Sequence, residues 1–231
     1  MHSNKDYRIL IGIDRDGTLI HDTGNFPGKD WPNEKFELMD YVRVGLHLMK
    51  AQISEVNSQV KIVMITNQSG PARGIVREEH LPEIHEYIQK LLPFRLDGVY
   101  ACTHVKQDYA ERHNITGEAY AKYVTNCKCR KPNTGMLEQA SMNLFGLPLK
   151  DLDIVYMIGD RPEDVQTGLN VGSNGVGVYV PSPVKDHAER LEEVVRLQQA
   201  NPKRVIIASS FHDASIKLVC DFEYNKSRRI A

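Results

Sequence analysis

Apolar residues along this chain alternate between two patterns. Short, nearly unbroken runs, Ile9-Leu10-Ile11-Gly12-Ile13, Val60-Lys61-Ile62-Val63-Met64-Ile65, Gly98-Val99-Tyr100-Ala101, Asp153-Ile154-Val155-Tyr156-Met157-Ile158 and Val176-Gly177-Val178-Tyr179-Val180, predict five strands. A strand apolar at consecutive positions is covered on both faces. Between the runs, apolar residues recur at helical spacing: Leu38, Val42, Leu46, Met49 and Ile53; Leu81, Ile84, Ile88 and Leu91; Leu137, Ala140, Ser141 and Leu144. A charged helix is expected around Ala188 to Gln199. Strands alternating with helices pair in parallel through right-handed crossovers, so the expected fold class is α/β, a doubly wound, Rossmann-like parallel sheet with helices on both faces. A polar stretch from Val105 to Asn126 breaks the rhythm, and from about residue 203 Arg204–Ala208 and Ile216–Val219 add a strand or a packed tail.

Length and composition narrow the class. A chain of 231 residues suits one α/β domain, with its core over about 8–182 and a C-terminal helix and tail over 183–231. With 41% hydrophobic and 26% charged residues, it has enough apolar surface to exclude a disordered chain. Lys plus Arg (29) and Asp plus Glu (30) leave a net charge of -1, which supplies no field for nucleic acid or an anionic membrane. No apolar run approaches the ~18 residues that span a bilayer. The stretch Met1-His2-Ser3-Asn4-Lys5-Asp6 carries no hydrophobic signal, so a cytoplasmic location and reduced cysteines are the expectations, with a monomer as the default.

Chemistry collects at the predicted strand ends. The first strand runs into Asp14-Arg15-Asp16-Gly17-Thr18, the second into Thr66-Asn67-Gln68-Ser69-Gly70, the fourth into Gly159-Asp160-Arg161-Pro162-Glu163-Asp164. Lys131 stands just before a helix. In a doubly wound sheet these carboxyl ends share one edge, where ligands bind. Acidic groups converging there repel one another unless a hard divalent cation, Mg²⁺ by default, sits among them. A phosphate would gain the metal, the Lys131 ammonium and the Thr66 hydroxyl; one carboxylate could attack phosphorus while another two residues on moves the proton.

Asp-x-Asp-Gly-Thr, Thr-Asn, Lys and Gly-Asp-x-x-x-Asp in this order resemble the haloacid dehalogenase superfamily over roughly residues 8 to 182. The resemblance implies Asp14 as nucleophile, forming an aspartyl-phosphate, and Asp16 as general acid and base. Thr66 and Lys131 would steady the phosphoryl group. Asp14, the Asp16 carbonyl and Asp160 would hold Mg²⁺, with Asp164 beside them or as an alternative ligand. Only short segments follow the first and third strands, so a capless pocket is expected, roofed by Asp22–Trp31 and the loop of the cysteines.

Cys102-Thr103-His104 and Cys127-Lys128-Cys129 offer three thiolates and an imidazole over residues 102–129, a tetrahedral Zn²⁺ set with no open position and hence structural. Cys220 stands apart. Together with Cys129-Arg130-Lys131-Pro132 and Thr66-Asn67-Gln68-Ser69-Gly70-Pro71-Ala72-Arg73-Gly74, this pattern resembles the D-glycero-D-manno-heptose 1,7-bisphosphate phosphatases and the related histidinol-phosphate phosphatases. The resemblance implies a small phosphorylated metabolite as substrate, first the C7 phosphate of the heptose bisphosphate and next histidinol phosphate. By that similarity Arg130 would contact substrate and Asp22, Thr23, Gly24 and Asn25 would line the pocket, along with Asn67, Gln68 and Ser69. Arg73, Arg130 and Arg161 could read a second phosphate or a carboxylate bidentately. Two features depart from the family: the 22 residues between His104 and Cys127 exceed its usual zinc loop, and Asn25 stands where an aromatic residue is common. His113, inside that long loop, is a conceivable substitute zinc ligand. A nucleic-acid 3′-phosphatase and a non-catalytic zinc scaffold are the alternatives from other classes.

Overall fold

The structure, a computed structural model, describes residues 7–22, 27–54 and 58–230. Strands β1 (Tyr7–Ile13), β2 (Ser58–Asn67), β3 (Gly98–Cys102), β4 (Ile154–Gly159), β5 (Gly175–Tyr179) and β6 (Val205–Ile207) form one sheet in the order β3-β2-β1-β4-β5-β6. All its pairings are parallel. The chain winds outward from β1 through β2 to β3, returns to place β4 beside β1, and winds outward again. That reversal opens a crevice beyond the carboxyl ends of β1 and β4.

Side-chain alternation along the strands fills two cores, since successive residues point to opposite faces. Ile9, Ile11 and Ile13, with Met64, Tyr156 and Ile158, join the cluster that holds Leu46 of α1 (Val42–Ser54) and Ile84 of α2 (Leu81–Leu91). Leu10, Val63, Val155 and Met157 face the other way, toward Met136, Leu137 and Ala140 of α5 (Gly135–Phe145). Gly12 is needed on that side: a Cβ there would stand 2.8 Å from Leu137 and 3.0 Å from Ile65.

Helices α6 (Pro162–Asn170) and α7 (His187–Ala200) share a smaller cluster with β5 and β6 through Val165, Tyr179, Val194 and Val205. The region after residue 203 supplies both a strand and a packed tail: β6 extends the sheet, and α8 (Phe211–Ile230) joins the α1 face. Ile216–Val219 therefore lie in a helix. Its Phe222 packs edge-on to Tyr7, and its Asp221 accepts a hydrogen bond from Tyr156.

Two expectations change. Leu38 does not belong to the first helix; it bridges Ile20, and Tyr41 adopts a left-handed φ of 64° that a helix cannot pass through, so α1 starts at Val42. The polar stretch 105–126 is helical in two pieces, α3 (Gln107–Arg112) and α4 (Gly117–Tyr123). Among the described residues, the segment between β1 and α1 holds turns and isolated bridges. Among the described residues no separate cap domain therefore covers the crevice. No described helix is long and apolar enough to cross a membrane.

Candidate active site

Parallel register places the two central acidic loops side by side. Ile13 pairs with Ile158, and the Asp14 N–H continues the ladder into the Ile158 carbonyl at 2.8 Å. The turn then brings Gly17, at φ 76°, so close to Asp160 that a Cβ would stand 2.6 Å from its Oδ2. Only glycine satisfies both the backbone angle and the approach. Asp14, Asp160 and Asp164 are buried, with one carboxylate oxygen of each lying within 4.8 Å of the others.

Lys131 is the cation among them. Its Nζ donates to Asp14 Oδ1 at 2.7 Å and to the Ile65 carbonyl at 3.0 Å, and stands 2.5 Å from Asp164 Oδ1. Behind Asp160, Ser182 donates at 2.6 Å and Arg190 of α7 at 2.5 Å, both to Oδ2. Asp160 Oδ1 is buried with no hydrogen-bond partner. Burial, joined by the charge of Asp14, lifts Asp160 to about 6. Burial also lifts Asp164, to about 7, with Asp14 and Asp160 opposing the relief that Lys131 gives. Against the effect of its own burial, Lys131 is held above its ordinary value by Asp14 and Asp164. An unpartnered oxygen in an all-oxygen cluster with excess negative charge fits a hard divalent cation such as Mg²⁺.

Asp16 belongs to a second network that faces the same cavity. Both its oxygens are engaged by the fork of Arg15, Nε to Oδ1 at 2.8 Å and Nη2 to Oδ2 at 2.9 Å. Gln68 Nε2 adds a bond to Asp16 Oδ2 at 2.9 Å and another to Thr66 Oγ1 at 2.7 Å. Arg15 is fully buried and further reaches Gln68 Oε1, the Pro27 carbonyl and His85 of α2. Since a guanidinium only donates, His85 Nε2 must be the acceptor and the ring neutral. Burial first, and Arg15 second, push His85 down to about 3, consistent with that state.

A cavity of about 580 Å³ opens over these groups. Of the residues singled out from sequence, Asp14, Asp16, Asp22, Asn67, Gln68, Ser69, Arg130, Lys131, Arg161 and Asp164 line it. Thr66 and Asp160 lie beneath the lining, at 1% exposure each. Asn67 is spent on the backbone, pairing its amide with both the N–H and the carbonyl of Lys131 at 3.0 and 3.2 Å. Arg73 is not in the lining; it acts instead on His113, which burial and then Arg73 hold below its ordinary value. Thr23, Gly24 and Asn25 lie outside the described residues. Sequence reasoning missed Arg15, Arg190, and the wall that Lys106, Asp108, Tyr109 and Arg112 build. The first hid as the variable position of Asp-x-Asp, and the rest lie in stretches whose placement no local pattern shows.

That wall stands on the cysteine cluster. Cys102, at the end of β3, has its Sγ 2.8 Å from Cys129 Sγ and 3.7 Å from both Cys127 Sγ and His104 Nδ1. The four ligand atoms lie within 4.8 Å of one another, and three thiolates with one imidazole are a donor set that suits Zn²⁺. His113 is not part of the group; its ring lies 4.3 Å from that of Tyr109. The insert between the ligands has its own small core of Val105, Ala110, Ile115 and Tyr123 with Ala72. Glu78 ties it down through Lys122 and Tyr123. Tyr109 bonds Ser69 at 2.9 Å, with the Arg130 guanidinium 5.7 Å above its ring.

Comparison with known proteins identifies the family. A family profile described as HAD-hydrolase-like matches residues 128–212, the stretch from the Cys127-Lys128-Cys129 loop into α8. A D-glycero-beta-D-manno-heptose-1,7-bisphosphate 7-phosphatase of Photorhabdus laumondii is 34% identical over 80% of this chain and 88% of its own length. The chain belongs to that family of haloacid-dehalogenase-like phosphatases. A second relative with the same name, from Yersinia pestis, is 32% identical over 86% of this chain and 95% of its own. A HAD-like phosphatase structure from Mesorhizobium loti shares the fold, with a TM-score of 0.57 and 22% identity over 84% of this chain and 88% of that one. As a member of a hydrolytic family the protein is a phosphatase.

Two outcomes follow from the charges. Folded-state values of about 6 for Asp160 and about 7 for Asp164 lie above their ordinary 3.8, so the native state holds extra protons between those limits. Stability of the metal-free protein therefore falls as pH rises through that window. Thermal melts in EDTA should show a lower Tm at about pH 7.5 than at about pH 5, with Mg²⁺ raising it more at the higher pH; a Mg²⁺ shift of equal size at both would contradict the cluster's charge. For the cysteine site, Cys129→Ser should cut zinc bound per chain, measured by mass spectrometry of the metal, and lower Tm by several degrees. Equal metal content and Tm would exclude a structural zinc at this place.

Proposed function

We propose that this phosphatase removes the C7 phosphate of D-glycero-D-manno-heptose 1,7-bisphosphate through an aspartyl-phosphate on Asp14. One observation carries the chemistry: Lys131 fixes Asp14 Oδ1 at 2.7 Å, while Asp16, two residues on, faces the same cavity. The substrate class rests on the relatives' names, whose lengths this chain spans almost entirely.

In the first half-reaction the free oxygen of Asp14 attacks phosphorus, and the bond to the sugar oxygen breaks. Asp16 gives that oxygen a proton, so the sugar leaves as a neutral alcohol. In the second, Asp16 takes a proton from water as the water attacks phosphorus, and Asp14 is released with inorganic phosphate. Lys131 neutralises charge on the phosphoryl oxygens, and Gln68 holds the Thr66 hydroxyl beneath them. Asp14, the Asp16 carbonyl and Asp160 would hold Mg²⁺, with Asp164 adjacent, and the ion would offset the charge that develops on those oxygens. Zn²⁺ on Cys102, His104, Cys127 and Cys129 would have no open position and would brace the Arg130–Lys131 turn that follows Cys129. Arg130 and Arg161 would receive the second phosphate, and Asp22, 3.8 Å from Arg161, would set that side chain's reach.

The test is phosphate release, with Mg²⁺ and with EDTA, from both anomers of heptose 1,7-bisphosphate, histidinol phosphate, other phosphosugars and a 3′-phosphorylated oligonucleotide. Anomer-selective, Mg²⁺-dependent release from the C7 position, lost to background in Asp14→Asn of unchanged Tm, is the expected result. Preference for histidinol phosphate or the oligonucleotide would overturn the substrate while keeping the reaction; an active Asp14→Asn would overturn the nucleophile.

A further inference from the structure

An arginine with 0% exposure is costly unless its charge and its donors are all met. At Arg15 every guanidinium nitrogen has a partner, and the strongest two bonds form a fork on a single carboxylate, that of Asp16. The fork is itself fixed from behind. His85 can only accept from Nη1, at 3.3 Å, and Gln68 accepts from Nη2 at 2.8 Å while donating to Asp16 with its other end. Three elements of the fold, the turn after β1, the end of β2 and helix α2, thus converge on the orientation of one partly exposed side chain.

We propose that Arg15 is a positioning residue for Asp16: its buried fork, braced by His85 and Gln68, fixes the plane of the acid–base carboxylate relative to the phosphoryl group on Asp14. The proposal rests on the phosphatase reading of the site. Both half-reactions move a proton between Asp16 and an oxygen bound, or about to be bound, to phosphorus. A carboxylate free to rotate about its side-chain bonds would spend most of its time misaligned for that transfer. Lysine cannot replace the fork, because a single ammonium engages one oxygen and leaves the plane unset.

The experiment is a double-mutant cycle on the Mg²⁺-loaded enzyme, reading kcat/KM for an alkyl ester (a sugar phosphate turned over by the wild type) and for p-nitrophenyl phosphate. The alkyl oxygen needs a proton to leave, whereas the nitrophenolate does not. Arg15→Lys should lower kcat/KM on the alkyl ester by roughly 10- to 100-fold, a share of the 10²–10⁴ that a placed acid–base contributes, and on the aryl ester only a few-fold. In an Asp16→Asn background the same substitution should cost nothing further. His85→Phe, which keeps the burial and removes only the acceptor, should show the same signature at smaller size and decides the matter if Arg15→Lys does not fold. Equal losses on both esters, undiminished in the Asp16→Asn background, overturn the proposal and leave Arg15 structural. Failure of the wild type to release phosphate from either ester overturns the phosphatase reading together with it.

Discussion

Charge balance at the buried junction of β1 and β4 governs this molecule. Asp14, Asp160 and Asp164 meet there with Lys131, and Arg190 reaches Asp160 from behind. Water cannot screen these groups, so each carboxylate raises the cost of ionising the next. The sheet reversal forces the meeting, because adjacent central strands end at the same height and both turns carry an aspartate at their first polar position. Packing on either face of the sheet, with Gly12 against Leu137 and Gly17 against Asp160, holds the backbones where that repulsion cannot relax by movement. A site assembled in this way favours ligands that restore neutrality, and a cation together with a phosphoryl group does so.

The cysteine cluster contributes to the site through connectivity rather than chemistry. Cys129 is followed directly by Arg130 and Lys131, so whatever fixes the cluster also fixes the lysine between the carboxylates. Arg130 closes the same turn from the other side by donating to the His104 carbonyl at 2.8 Å. Helices α3 and α4 emerge between the second and third ligands and form the wall carrying Tyr109 and Arg112. Since the hydrogen bond between the Tyr109 and Ser69 hydroxyls joins that wall to the loop after β2, the insert is part of the cavity rather than a loose decoration.

How much of this could be read in the sequence depended on how local the cause was. Strands β1, β2, β4 and β5 were legible because burial on both faces writes itself as consecutive apolar residues, Asp14 and Asp160 because strand ends carried their motifs, and Lys131 because it stood in the same ordered pattern just after the polar loop. Helices α3 and α4 were not: Val105, Ala110, Ile115 and Tyr123 pack on one another and Ala72, and helices of 6 and 7 residues are too short to show a period. Arg190 lies 30 residues from Asp160, and nothing on α7 announces the contact. Arg15 stood in plain view between two aspartates, yet its burial depends on His85 and Gln68, 70 and 53 residues away. Tertiary causes of this kind leave no mark in spacing.

Everything claimed for the chemistry depends on Asp14 carrying the phosphoryl group. The measurement that meets this most directly is rapid acid quench of the Mg²⁺-loaded protein during turnover of a ³²P-labelled substrate, followed by mass analysis of the peptide that contains Asp14. A phosphoryl adduct on Asp14 that forms and decays no slower than phosphate is released is the expected result. Steady phosphate release with no labelled protein at any time, or with the label on another residue, would contradict the account.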